Sequence, residues 1–274
     1  MNPSTLTLSI ERGIAELTLC RPEALNSMSR AFWSELPEAL RELDARGDIR
    51  VLIIASTGKH FTAGMDLSVF ADGALQTSTP RTREHLRQKA LWLQEPFNLL
   101  ERARFPVIAA VQGGCIGGGV DMISACDLRL MTQDAFICIQ EINIGMMADL
   151  GTLQRLPKLV PEGVVRQLAY TGERWPASEA LRFGFANQLF DTHDALLAGA
   201  RALAKLIASK SPLAIAGSKE LITFVRDHDV ATSLSMCATW QAGMLDTAEM
   251  TQVMQAKKGA AIEFEAMVDK PNSV

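Results

Sequence analysis

Gly113-Gly114-Cys115-Ile116-Gly117-Gly118-Gly119-Val120-Asp121 links a predicted buried strand, residues 106–112, to a helix that we expect to end near residue 126. Glycines in such a turn let backbone N–H groups approach a ligand oxygen closely. The carboxylate of Asp121 falls in the first turn of the helix, where it would repel a phosphate group. Taken alone, the glycines are equally typical of a tight turn with close packing of helix on strand.

Two more acidic residues, Glu141 and Asp149, follow this turn in otherwise apolar sequence. Each carboxylate has a structural alternative: Asp121 complements a helix dipole, Glu141 pairs with an arginine such as Arg129, and Asp149 is the N-cap of the helix that follows. An unpaired carboxylate in apolar surroundings is costly, however, and its pKa moves toward neutrality. Together the three predict proton transfer at a carbon next to an activated carbonyl.

A second segment suited to hold a carbonyl oxygen is Phe61-Thr62-Ala63-Gly64-Met65-Asp66-Leu67, shortly after a continuous apolar strand at residues 50–55. Two backbone N–H groups from separate loops form an oxyanion hole, and removing one donor typically costs about 3–4 kcal/mol of activation barrier. A backbone donor places no demand on its own side chain. Met65 is therefore acceptable there, although a tight turn is again the structural alternative.

The first half of the chain alternates short strands with turns and helices, and the sequence after residue 152 is mainly helical. Strand–strand–helix units followed by helices predict an α/β core with an appended helical region. We place the core in residues 1–200 and a C-terminal helical oligomerisation region in residues 201–274. The predicted strands are 6–10, 14–19, 50–55, 106–112, 127–131, 136–139 and 187–190; the predicted helices include 29–45, 161–171, 178–183, 195–209 and 213–226.

Composition excludes several classes of protein. The formal net charge of −4 argues against nucleic acid as a partner. The sequence has no apolar run of about 18 residues, so we expect no membrane helix. Five scattered cysteines without a C-x-x-C pair indicate reduced thiols. The first ten residues do not resemble a signal peptide, and the last residues are not a Ser-Lys-Leu address. We therefore expect a cytoplasmic location.

Residues 21–28, 63–67 and 106–127 resemble the enoyl-CoA hydratase/isomerase (crotonase) superfamily, and the resemblance extends from about residue 5 to residue 260. It implies a crotonase-like spiral, an acyl-CoA thioester substrate, a homotrimer or homohexamer, and no cofactor beyond the coenzyme A of the substrate. It also implies that the oxyanion hole consists of the N–H groups of Met65 and Gly118. The other substrate-binding positions implied by the resemblance are Ala24, Ala63, Gly64, Asp66 and Gly117.

Two departures from ordinary hydratases indicate which group within the superfamily the chain resembles. Hydratases usually have glutamate at both catalytic positions, whereas this chain has Asp121 and Glu141, and Asp149 stands where they have glycine. Residues 115–127, 132–136 and 145–157 instead look like Δ3,5-Δ2,4-dienoyl-CoA isomerases. That resemblance implies that Glu141 and Asp149 transfer the protons while Asp121 is a supporting polar residue. Ala24 stands where many relatives have a lysine near the CoA.

The chemistry agrees with this assignment. Shifting two conjugated double bonds requires removal of a proton at C2 and return of one at C6, so two separated carboxyl groups suit the task. An enoyl-CoA hydratase, with Asp121 and Glu141 activating water, is the nearest alternative. An alternative of another class is a catalytically silent binding protein with the same fold.

The C-terminal region carries more apolar residues than one packed face requires. Exposed in a monomer, they would exceed the apolar patch of a few hundred Å² that soluble monomers usually carry. Burial around a rotation axis between subunits would cover them, and completion of the chain's own core is the alternative. The apolar positions are Leu221, Phe224, Val225, Leu234, Met236, Trp240, Met244 and Leu245.

Overall fold

The computed structural model describes residues 5–70, 77–256 and 262–271. Its strands are β1 (Leu6–Glu11), β2 (Ile14–Leu19), β3 (Val51–Ser56), β4 (Val107–Val111), β5 (Gly114–Ile116), β6 (Leu128–Thr132), β7 (Phe136–Cys138), β8 (Trp175–Pro176) and β9 (Gln188–Phe190). Its α-helices are α1 (Phe32–Ala45), α2 (Pro80–Arg102), α3 (Gly118–Ser124), α4 (Thr152–Arg155), α5 (Glu162–Thr171), α6 (Ala177–Arg182), α7 (His193–Ala208), α8 (Pro212–Val225), α9 (Val230–Met244) and α10 (Thr247–Gln255).

Two sheets organise the fold. The larger has the order β1-β2-β3-β4-β6-β9 and is parallel apart from the β1–β2 hairpin. The smaller has the order β5-β7-β8. Because β5 directly follows β4 and β7 directly follows β6, successive turns of the chain give one strand to each sheet. The predicted spiral of strand–strand–helix units is confirmed.

The core lies on both faces of the large sheet. Leu52 and Ile54 of β3 belong to the large cluster that also contains residues of α1, α2 and α3. Val51 and Ile53 point to the opposite face, where the small apolar residues of α7, among them Ala200, cover the sheet. The continuous apolar run of this strand was therefore correctly interpreted as burial on two faces.

The glycine segment contains more structure than a turn. Its first half forms β5, which pairs in parallel with β7. Gly117 then has φ +53 and serves as the N-cap of α3. The helix ends at Ser124, two residues earlier than predicted, and Asp127 N–H already donates to the Val107 carbonyl of β4 at 3.0 Å.

The C-terminal helices begin within the sheet layer. Helix α7 crosses residue 200 while packing on the large sheet, and α8 to α10 follow it. Residues 262–271 return to the turn after α1, where Met267 N–H donates to the Gly47 carbonyl at 3.0 Å. Residues 257–261 and 272–274 of the predicted helical region lie outside the described chain. Among the residues described, no helix is long and apolar enough to cross a bilayer.

Candidate active site

Isolated bridges join the segment after β3 to its neighbours. Thr62 pairs with Cys115, and Met28 pairs with Met65. In the first bridge, Ile116 N–H donates to the Thr62 carbonyl at 3.1 Å. These pairings carry the segment after β3 alongside the segment that precedes α3.

Met65 N and Gly118 N therefore lie close together. A methyl group placed on Gly118 would be 4.0 Å from Met65 N, and one placed on Gly64 would be 3.4 Å from Gly118 N. Neither of these N–H groups donates to a protein acceptor in the described part of the chain. The structure thus brings together two backbone N–H groups from separate loops, the two groups of the predicted oxyanion hole.

Asp121 lies in the first turn of α3 and is 1% exposed. Its Oδ1 accepts a hydrogen bond of 2.7 Å from Thr152 N–H, while its buried Oδ2 has no partner among the described residues. Burial raises the pKa of Asp121 to about 6; the Thr152 N–H opposes this rise, and the charge of Asp149 adds to it. Asp121 therefore supplies the acceptor at the start of α4.

The N-cap alternative for Asp149 is wrong. The N-cap residue of α4 is Gly151, which has no side chain to cap the helix. Asp149 lies in the irregular segment before this helix, half-buried between the buried Ala148 and Leu150. Burial raises the pKa of the Asp149 carboxyl group. Its carboxylate is therefore available for another role.

Glu141 lies in a short 3₁₀ helix, Gln140–Ile144, directly after β7. A methyl group placed on Gly117 would be 3.0 Å from Glu141 Oε1, so this carboxyl group lies beside the start of α3. Its Oε2 is buried without a partner in the described chain. Burial raises the pKa of Glu141 to about 7, and repulsion by Asp121 and Asp149 adds to the effect.

The alternative pairing of Glu141 with Arg129 is also wrong. The Arg129 guanidinium is buried and donates to backbone carbonyls, among them that of Phe185 at 2.7 Å. The charge of Asp149 contributes to the raised pKa of both Asp121 and Glu141, and the charge of Asp121 to that of Glu141. The three predicted carboxyl groups therefore interact electrostatically and form one electrostatic site. In such a site they compete for protons as a group.

The predicted substrate-binding residues form the loops around the two donors. Ala24 ends a 3₁₀ turn, and the next carbonyl, of Leu25, accepts a 2.9 Å hydrogen bond from Ala63 N–H. Asp66 accepts hydrogen bonds of 3.0 Å from Ser27 Oγ and from Ser68 N–H. Hydrogen bonds from Ser68, followed by one from Ser27, lower the pKa of Asp66. Asp66 is therefore an ionised residue that fixes this loop.

Sequence reasoning missed Asn26 and Thr62, the residues that hold the donor loop. Asn26 is buried with φ +52 and donates from Nδ2 to the carbonyls of Thr57 and His60 at 2.7 and 3.0 Å. Thr62 Oγ1 donates to the Asn26 carbonyl at 2.7 Å and accepts from Gly64 N–H at 3.1 Å. Asparagine tolerates the left-handed region better than most residues, so its place in the segment 21–28 was a usable signal.

Two cavities differ in their relation to the site. The larger, about 760 Å³, lies among α2, α8, α9 and the C-terminal segment, away from the carboxylates. A second, of about 480 Å³, is lined by the sequence neighbours of the carboxylates: Ile139 and Ile142 beside Glu141, and Met147 and Ala148 beside Asp149. Of these two cavities, the second is the one lined by sequence neighbours of the carboxylates.

Comparison with known proteins defines the class. A profile of the enoyl-CoA hydratase/isomerase family matches residues 9–262, and the chain belongs to this family. It is 42% identical over 252 residues to the mitochondrial Δ(3,5)-Δ(2,4)-dienoyl-CoA isomerase of Mus musculus, covering 90% of this chain and 77% of that protein. It is 38% identical over 251 residues to the peroxisomal protein of that name from Arabidopsis thaliana, covering 90% of each.

A solved structure has the same fold. A Thermobifida fusca protein in complex with CoA is 30% identical, with a TM-score of 0.79, and the match covers 92% of this chain and 95% of that one. The predicted resemblance to the crotonase superfamily, and within it to dienoyl-CoA isomerases, is confirmed.

The expected cytoplasmic location is wrong by the same comparisons, since these relatives are named as mitochondrial and peroxisomal proteins. That expectation depended on address sequences at the chain ends, which receptors read and which the folded domain does not determine.

Proposed function

We propose that this protein isomerises 3,5-dienoyl-CoA thioesters to 2,4-dienoyl-CoA thioesters by acid–base proton transfer. The observation that carries the proposal is the position of Asp149. It shares one electrostatic site with Glu141 and Asp121, and it caps no helix there. Hydration of a single double bond has no use for this third carboxylate, whereas proton return to a distant carbon does. The named relatives at about 40% identity support the same reaction.

In the proposed mechanism, the thioester oxygen accepts hydrogen bonds from Met65 N–H and Gly118 N–H. The carboxylate of Glu141, beside Gly117, removes the proton from C2, and the electron pair spreads over the dienolate onto this oxygen. The carboxyl group of Asp149 then gives a proton to C6, leaving double bonds at C2 and C4. Electrons are neither gained nor lost overall, so we propose no redox cofactor, and the coenzyme A belongs to the substrate.

The mechanism requires Glu141 to be ionised and Asp149 to be protonated when the substrate binds, and burial raises the pKa of both carboxyl groups. One carboxyl group must start ionised and the other protonated, and mutual repulsion in a buried group favours such a division. The pKa of Glu141, raised to about 7, puts this base close to neutral pH, where a general base works best. Asp121 Oδ1 is occupied by Thr152 N–H, so we assign it a supporting role.

The substrate has room on both sides of the reacting carbons. We propose that the loops of Ala24 and of residues 63–66 contact the CoA portion. Ala24 has no cationic side chain, so a phosphate contact must come from elsewhere. We propose that the chain beyond C6 enters the cavity of about 480 Å³ that is lined by sequence neighbours of Glu141 and Asp149, a volume within the roughly 300–1,000 Å³ of small-molecule sites.

We also propose a homotrimer or homohexamer. Helices α9 and α10 contain no buried residue, and apolar side chains on them are widely exposed, for example Leu234 at 63% and Met254 at 75%. A second copy of the chain is the proposed cover for these faces, and family resemblance supplies the subunit number.

The test is to incubate pure protein separately with a 3,5-dienoyl-CoA and a 2-enoyl-CoA and follow both by ultraviolet absorbance. Growth of the 2,4-dienoyl-CoA absorbance, far faster than loss of the enoyl absorbance, is the expected result. Hydration without isomerisation would make the protein a hydratase instead. Binding of both thioesters with no turnover would leave the silent binding protein.

A further inference from the structure

We infer that Gln94 is a positioning residue for Asp149. It belongs to a polar face of α2, formed by Gln94, Asn98 and Glu101, that holds residues 149–155. This inference deepens the proposed function and rests on it. Gln94 Nε2 donates to the Asp149 carbonyl at 2.7 Å in a partly buried setting. Asp149 belongs to no helix or strand, so an external donor fixes the peptide group that carries the carboxylate.

The same face of α2 also holds Arg155, which follows Asp149 in the chain. Gln94, Asn98 and Glu101 are spaced four and three residues apart and share one side of the helix. Arg155 donates to Asn98 Oδ1 at 2.7 Å and to Glu101 Oε2 at 3.1 Å. Gly151 lies so close to the Arg155 guanidinium that any side chain there would overlap it. Residues 149–155 are thus held to α2 by hydrogen bonds at both ends, at Asp149 and at Arg155.

Glu101 extends this attachment to the C-terminal helices. Its second carboxylate oxygen pairs with Arg226, which follows α8. The two arginines lower the pKa of Glu101 against the opposing effect of burial, Arg155 contributing more than Arg226. Glu101 therefore stays ionised and keeps the α2 polar face anchored.

We expect the Gln94 hydrogen bond to affect the proton transfer to C6 and not the proton removal at C2. Glu141 lies in the 3₁₀ helix Gln140–Ile144 after β7, outside the segment 149–155 that Gln94, Asn98 and Glu101 hold. Loss of the Gln94 hydrogen bond should displace Asp149 while the base at C2 stays in place. A purely structural role for Gln94 would instead weaken both transfers together.

The test compares Gln94→Leu with the matched control Gln154→Leu. Gln154 is exposed on α4 and lines the same polar cavity as Gln94, without a described side-chain hydrogen bond. Each protein is incubated with 3,5-dienoyl-CoA in deuterated water. Mass spectrometry then measures deuterium at C2 of the recovered substrate, and absorbance measures the 2,4-dienoyl-CoA formed.

In Gln94→Leu, product formation should fall by about tenfold to a hundredfold, the order of effect of a displacement of about 1 Å in an active site, while C2 exchange changes by less than about twofold. Gln154→Leu should change neither rate by more than about twofold. Equal loss of both rates in Gln94→Leu, or no loss, overturns the inference. If Gln94→Leu is not recovered folded, Gln94→Met takes its place. A wild-type protein that forms no 2,4-dienoyl-CoA overturns the proposed function, and this role of Gln94 with it.

Discussion

Replacing Glu141 by glutamine should remove the activity. It should also increase the free energy of unfolding, measured relative to the wild type, as the pH rises from acid to alkaline. Burial and the two neighbouring aspartates raise the pKa of Glu141 from its usual 4.5 to about 7. The folded protein therefore holds this proton more tightly than the unfolded chain does. The wild type loses stability as the pH rises from about 4.5 to about 7, and the neutral glutamine does not.

The magnitude follows from the two pKa values. One pKa unit corresponds to about 1.4 kcal/mol, so the shift from 4.5 to about 7 corresponds to about 3 kcal/mol when complete. Part of the loss has already occurred at pH 5. Between pH 5 and pH 8 the stability of Glu141→Gln relative to wild type should rise by about 2–3 kcal/mol. The cost of burying the amide is present at both pH values and cancels in this comparison.

The assay is urea unfolding of both proteins at pH 5 and pH 8, at one protein concentration because assembly contributes to stability. Exchange of the C2 proton with deuterated water is measured in parallel and should be abolished in Glu141→Gln, while the thioester still binds. A stability difference that is the same at the two pH values would refute the raised pKa. Unchanged C2 exchange would move the base to another residue, with Asp121 the next candidate.

Other predictions test the remaining parts of the site. Asp149→Asn should lower isomerase turnover by at least about two orders of magnitude while the circular dichroism spectrum stays native, and near-normal turnover would remove Asp149 from the mechanism. Gly64→Ala should lower both thermal stability and turnover, because its methyl group would lie 2.6 Å from the Ile116 carbonyl oxygen at a φ of +84. The control is Gly163→Ala in α5, where a methyl group meets nothing within 4 Å; equal effects would contradict the close approach. Light scattering should give three or six times the mass of one chain, and 29.8 kDa would exclude the oligomer.

The sequence was most informative where local pattern and burial coincide. The apolar run at residues 50–55 predicted a strand buried on both faces, and β3 has its side chains in two separate clusters. The hairpin at residues 6–19 was also predicted correctly. Short elements were harder: β5 begins inside the glycine segment, where glycine disfavours a strand by its own propensity. Pairing with β7 and the bridge from Thr62 stabilise it, and both contacts are non-local.

The sequence named the candidate site residues but not the hydrogen bonds between them and the rest of the fold. The motifs identified Asp121, Glu141 and Asp149, because carboxylates in apolar sequence are conspicuous. Nothing local indicated that Asp121 accepts a hydrogen bond from Thr152, or that Gln94 reaches the Asp149 carbonyl. Such contacts join residues 31 and 55 positions apart, so they depend on the tertiary fold.

The hydrogen bond between Asp121 and Thr152 explains how this site accommodates a third carboxylate. A helix start in a buried place needs an acceptor for its first N–H groups, and a nearby aspartate usually supplies it. Here the acceptor comes from Asp121 on α3, so Asp149 need not turn back to cap α4. The same bond ties α3, which carries the Gly118 donor, to the segment that carries Asp149. In the proposed mechanism, Asp121 thereby fixes the proposed oxyanion donor, Gly118 N–H, relative to the proposed acid at C6, Asp149.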